Sequence, residues 1–158
     1  MKASSAFLIS HEIYQAAREL VNSRIATTQL QSASKFLWRP DLHPRLVEYV
    51  ADFARAGERA LGEGSRHPGP SRRQVELGPQ KNVTVRGALG VKRVRASRLI
   101  LFRMYYLGGA EYHAARRTLG ISPITWSDWA EEIRRRVGRE LIRSGMFPPS
   151  RYFRQMSD

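Results

Sequence analysis

The chain contains no cysteine, which excludes disulfides, thiolate zinc sites, iron–sulfur clusters and a cysteine nucleophile together. Histidine is scarce, and His11, His43, His67 and His113 follow no paired-ligand spacing, so neither a metal nor a cofactor is expected. Long apolar runs are missing as well. Leu99 to Phe102 and Met104 to Ala110 are separated by Arg103, and neither approaches the ~20 residues of a membrane span. No membrane partner is therefore expected. The first ten residues hold one basic side chain and an apolar run too short for a secretory signal, which makes the cytoplasm the expected location.

Acidic residues are few: 14 against 27 basic ones in 158 residues, a net charge of +13. Lysine stands only at positions 2, 35, 81 and 92, so 23 of the basic residues are arginine. A polyanionic partner is the first expectation from this charge, because such a field raises the rate of encounter with nucleic acid. Guanidinium also pairs bidentately with phosphate and with guanine edges. At 42% hydrophobic residues the chain still holds enough apolar material for a core, and disorder throughout is excluded.

The excess charge is unevenly spread: +2 over residues 1–62, +7 over 63–98 and +4 over 99–158. The middle stretch also carries Gly62, Gly64, Pro68, Gly69, Pro70, Gly78 and Pro79, which interrupt any long helix or central strand. Residues 62–82 are expected to be poorly ordered. Before them, Ile13, Ala16 or Ala17, Leu20 and Val21 form a helical stripe over about 11–34, with Ser10 as N-cap. A second helix is expected over 44–61, with Leu46, Val50, Phe53 and Ala54 on one face and Gly62 at its end. The pair would make an N-terminal helical hairpin, joined by a turn fixed by Pro40 and Pro44.

Residues 83–86 and 91–95 alternate apolar and polar side chains around Gly87 and Gly90. They suit either a small basic hairpin or an extended arm ordered by a partner, and the arm is preferred because a lone two-stranded ribbon is marginally stable. From Ser97 onward the periodicity strengthens. A largely apolar helix should run from Ser97 to Gly108-Gly109, and a short one over about 110–119 should carry Tyr112, Ala115 and Leu119 inward until Gly120 stops it. Ser122 then caps a third helix with Pro123 in its first turn. Trp126, Trp129, Ala130, Ile133, Val137 and Leu141 fall on one stripe of that helix, which reads the two tryptophans as core. The expected fold class is mainly α: an N-terminal helical region over 1–61, a basic Gly/Pro-rich linker or arm over 62–96, a tri-helical helix-turn-helix domain over 97–145, and a tail over 146–158. The tail's aromatics and prolines either wrap back onto the core or dock on a partner.

Two short helices around a glycine-containing turn form the arrangement that delivers a helix end into the DNA major groove. The lead-in Tyr105-Tyr106-Leu107-Gly108, the turn Leu119-Gly120-Ile121-Ser122, and Thr125 before a large apolar residue resemble the DNA-reading fourth region of bacterial sigma factors and the related modules of phage regulators, including Q-type late antiterminators. The resemblance covers about residues 97–141. It departs at Arg116, where a small residue is usual, and at Trp126, where an aliphatic one is.

The resemblance implies that Ser122, Ile124, Thr125, Ser127 and Asp128 make base-edge and phosphate contacts, Asp128 accepting from a cytosine amine. Arg116, Arg117, Arg134, Arg135 and Arg139 are the expected backbone clamps, and Lys92, Arg93 and Arg95 in the basic arm hold phosphates or a minor groove. The function expected is a DNA-binding transcription regulator of phage or prophage origin, antiterminator-like or sigma-like. Double-stranded DNA is its expected partner, and the resemblance, if it extends further, implies RNA polymerase as a protein partner through residues 1–61. A terminase-small-subunit-like packaging protein, working as a homo-oligomer, and an RNA-binding protein acting through the arginine-rich middle are the alternatives. No enzyme is expected: paired carboxylates, a nucleophile elbow and a phosphate loop are not legible, and Glu131 and Glu132 point about 100° apart on their helix.

Overall fold

A computed structural model describes residues 2–23, 38–40, 43–62, 82–87 and 90–155. Over these residues the chain is mainly helical, as its periodicity predicts. Helices α1 (Ala3–Ser23) and α2 (His43–Leu61) are followed by a ribbon of β2 (Asn82–Gly87) and β3 (Gly90–Arg95). Then come α3 (Arg98–Leu101), a π-helical segment (Phe102–Leu107), α4 (Tyr112–Leu119) and α5 (Pro123–Arg143). Short strands β1 (Trp38–Pro40) and β4 (Phe153–Gln155) pair antiparallel. Two compact units result, one built from Met1–Ala60 with Arg134–Asp158 and the other from Leu61–Ile133. The chain passes between the units twice, after Ala60 at the end of α2 and after Ile133 within α5; residues 63–81 of the Gly/Pro-rich stretch lie outside the described residues.

In the first unit, α1 begins seven residues earlier than its expected cap. Ser10 is fully buried in the helix interior, because Ala6 and Phe7 extend the inward stripe that continues through Ile13, Tyr14 and Ala17 at helical spacing. Helix α2 answers with Leu46, Tyr49, Phe53 and Ala56; Val50 and Ala54, expected on that face, are only half-buried. Phe53 sits 4.7 Å from the Tyr14 ring and 6.0 Å from Phe7. The buried Tyr49 hydroxyl donates to the Ser10 carbonyl at 3.2 Å.

The tail does not stand apart. Met146, Tyr152 and Phe153 are buried, with Tyr152 and Phe153 each 5.0 Å from the Tyr49 ring. The Tyr152 hydroxyl donates to Asp52 Oδ2 at 2.6 Å, and Arg151 pairs with the same carboxylate at 3.3 Å. Trp38–Pro40, expected as turn, is the strand that receives β4 in the register Trp38↔Gln155, Arg39↔Arg154, Pro40↔Phe153.

The second half of α5 belongs to this unit, with Val137 and Leu141 fully buried. Arg136 donates to the Ala60 carbonyl at 2.6 Å and so satisfies an orphan acceptor at the end of α2. Glu140 accepts from Arg143 at 2.6 and 2.9 Å and from Arg59 at 2.8 Å. These bonds, Arg143 first, hold its carboxyl below the ordinary carboxylate range. The unfolded chain therefore binds this proton at a higher pH than the folded one, and stability falls as pH drops. The contribution is complete above the usual glutamate value of about 4.3 and is lost as pH falls through the lowered one. Thermal melts should show Glu140→Gln less stable than wild type at pH 7, by about 0.5–1 kcal/mol given the solvent exposure of both arginines, with the difference shrinking as pH falls below the usual glutamate value.

In the second unit, Ile100, Leu101, Phe102, Tyr106, Ala115, Leu119, Ile121, Trp126, Trp129, Ala130 and Ile133 make the core. Ser97 caps α3, accepting from the Ile100 amide at 3.2 Å. The expected single helix over 97–107 changes winding at Phe102, with Gly108 donating five residues back to Arg103 at 2.8 Å. Residues 82–87 and 90–95 form a paired ribbon where an extended arm is the preferred expectation. It is not solitary, since β2 lies beside α4 in the same unit, which supplies the support a lone hairpin lacks.

Candidate nucleic-acid interface

The turn between α4 and α5 presents an exposed helix start to solvent. Helix α4 starts at Glu111, whose carboxylate accepts from the His113 and Ala114 amides at 3.0 Å each. Those bonds hold the carboxyl below its ordinary range, as expected where a helix N-terminus presents free donors. Ala115 and Leu119 point inward. Gly120 ends the helix at φ 66°, a left-handed conformation that glycine adopts without a Cβ clash. Its amide donates to the Arg116 and Arg117 carbonyls.

Arg116 turns back on this turn, its Nη1 donating to the Ile121 carbonyl at 3.2 Å with the guanidinium 5.9 Å from the Tyr112 ring. It braces the turn from inside the unit, which corrects its expected role as an outward clamp. The buried Ala115 supplies the small residue one place earlier. Ile121 closes the core beneath.

Ser122 Oγ accepts from the Thr125 amide at 3.1 Å and donates to Thr125 Oγ1 at 3.0 Å. Its oxygen therefore caps α5 while its one proton goes to the Thr125 hydroxyl, and its role here is structural before it is recognitional. Ser122→Ala is expected to lower stability by about 1 kcal/mol in a denaturant titration, with the m-value unchanged. Pro123 follows in the first turn, where a missing amide costs nothing.

Outward from this cap stand Ile124, 76% exposed, and the exposed Ser127 and Asp128, with Thr125 half-buried between. Ile124 and Asp128 are four residues apart and share a ridge. Arg117 is exposed on α4. Behind the ridge Trp126 is buried, its ring 5.0 Å from both Tyr105 and Tyr112. Trp129 carries Arg98 at 5.2 Å over its face, and Arg98 also pairs with Glu132. Both tryptophans are core, as their spacing predicts.

The remaining expected residues are distributed elsewhere. Arg134, half-buried, and the exposed Arg135 and Arg139 stand on the part of α5 that belongs to the first unit. For Lys92, Arg93 and Arg95 the structure describes the backbone of β3. Glu111 and Arg98 escaped the sequence reading. The acidic residue directly ahead of a helical pattern could have marked the first, whereas Arg98 finds Trp129 and Glu132 more than thirty positions away, beyond any local pattern.

Among the described residues, no cluster of three metal-ligating side chains occurs, and no helix is long and apolar enough to cross a membrane. Comparison with protein-family models, with curated proteins and with solved structures finds no match to this chain.

Proposed function

We propose that the protein is a sequence-specific, non-enzymatic DNA-binding transcription regulator of the phage or prophage kind, in which α4, the turn and α5 act as a helix-turn-helix. The first turns of α5, starting near Ser122, read the major groove. One observation supports this most. A large aliphatic residue, Ile124, stands 76% exposed beside Ser127 and Asp128 on the outer side of a helix start whose inner side is packed by Trp126 and Trp129. An exposed aliphatic suits a thymine methyl, and a carboxylate accepts from a cytosine amine. Arg117 is the phosphate contact at the same end. The net charge of +13 favours a polyanion over a neutral or acidic protein surface.

Fluorescence anisotropy of the full chain with duplex DNA, over a salt series, tests the reading. Nanomolar binding to a selected site is expected, with log affinity falling against log salt by about 0.9 per phosphate neutralised. Arg117→Ala should weaken binding with the melting temperature unchanged. Absence of duplex binding at low salt, or equal affinity for every sequence, would overturn it.

A further inference from the structure

The ribbon β2–β3 carries Arg86, Lys92, Arg93 and Arg95 and no acidic residue between positions 82 and 95. Its register pairs Asn82 with Arg95, Thr84 with Arg93 and Arg86 with Val91, alternating with Val83–Val94, Val85–Lys92 and Gly87–Gly90. Cross-strand partners share a face and successive residues alternate faces. The register therefore sorts the ribbon into two unlike sides. One holds all three arginines with Asn82, Thr84 and Val91; the other holds the remaining three valines, the two glycines and Lys92. Simple sequence reading groups Lys92 with Arg93 and Arg95, and the pairing separates them.

We infer that the Arg86–Arg93–Arg95 face of this ribbon is a second duplex-DNA contact, gripping phosphates beside α4, and that Lys92 is not part of it. The occupant follows from charge: three arginine positions on one face with no acidic residue among them suit a phosphate chain. Position contributes as well. Arg93 and Arg95 are about 7 Å apart along the strand, and β2 lies beside α4, the helix that carries Arg117. A two-stranded ribbon is also narrow enough to follow a groove. This inference rests on the DNA reading above, since it names an additional part of the same interface.

The test is the salt dependence of binding to one selected duplex by the full chain, compared between wild type, Arg86→Gln/Arg93→Gln/Arg95→Gln and Lys92→Gln. Each arginine lost should make the log–log slope shallower by about 0.9, so the triple variant should lose about 2.7 and Lys92→Gln nothing. Far-ultraviolet circular dichroism checks folding; should the triple variant fail to fold, the three single variants carry the same expectation of about 0.9 each. Tight wild-type binding with an unchanged slope in the arginine variants, or with an equal loss in Lys92→Gln, overturns the ribbon contact while leaving the α5 reading intact. A wild-type chain that ignores duplex DNA overturns both, and preference for structured RNA over the duplex counts as that outcome.

Discussion

Gly138→Ala should be among the most damaging single-methyl changes in this protein. Gly138 is buried on α5 against the start of α1, and a Cβ built on it would overlap the Ala3 carbonyl, coming within 2.6 Å of its carbon. The obstacle is backbone, so no rotamer change relieves it. Accommodation requires α1 to shift away from α5, which loosens the packing of Ala6 and Phe7, both fully buried. Overpacking of this kind costs about 3 kcal/mol, which for a chain of this size is a fall of about 6–12 °C in melting temperature. Gly145→Ala is the informative contrast. That glycine has φ +77° and open space around it, so only left-handed backbone strain of about 1–2 kcal/mol applies. In a chain shortened by residues 1–3, the cost of Gly138→Ala should shrink, because the opposing carbonyl is gone. A Gly138→Ala variant that melts with wild type would show that α1 and α5 do not approach so closely.

Trp126→Ala and Ile124→Ala should separate folding from reading. The two residues stand two positions apart and so on opposite sides of the helix, about 200° around it: Trp126 is 8% exposed between Tyr105 and Tyr112, and Ile124 is 76% exposed. Removing the indole leaves a cavity at the junction of the π-helical segment, α4 and α5, at a cost of about 3–5 kcal/mol. Thermal melting should register it, and DNA binding should fail with the fold. Ile124→Ala should leave stability within about 0.5 kcal/mol of wild type. Its loss should appear only in discrimination, with affinity for the selected site falling towards that for random duplex and low-salt binding retained. Replacing site thymines by uracil, which removes the methyl group, should weaken wild type and leave Ile124→Ala unaffected. Equal affinity of wild type and Ile124→Ala for the selected site would remove the first turn of α5 from the reading surface.

The local half of this architecture was legible in the residues themselves. Gly120 had to stop α4, Ser122 and Pro123 had to start α5, and the stripe Trp126, Trp129, Ile133, Val137, Leu141 had to face inward, because capping and helical periodicity act over a few residues and are written in adjacent positions. What reached across the chain was not legible. Ser10 read as a cap because short polar residues favour that place, but the apolar positions at 6 and 7 found a partner face on α2, and tertiary burial outweighed the local preference. Residues 82–95 read as an arm because a lone ribbon gains too little, and support from α4 reverses that balance. Arg116 reads from sequence as an outward clamp, and nothing local marks the partners of Arg98 and Arg136; each is engaged by a carbonyl, a carboxylate or an aromatic ring brought to it by folding. The sequence by itself determined a mainly helical, strongly basic chain and its helix boundaries around the α4–α5 turn. Only the tertiary structure decided which arginines are spent inside, that the aromatic tail closes the first unit, and that α5 serves two units at once, since each depends on contacts between residues far apart in the chain.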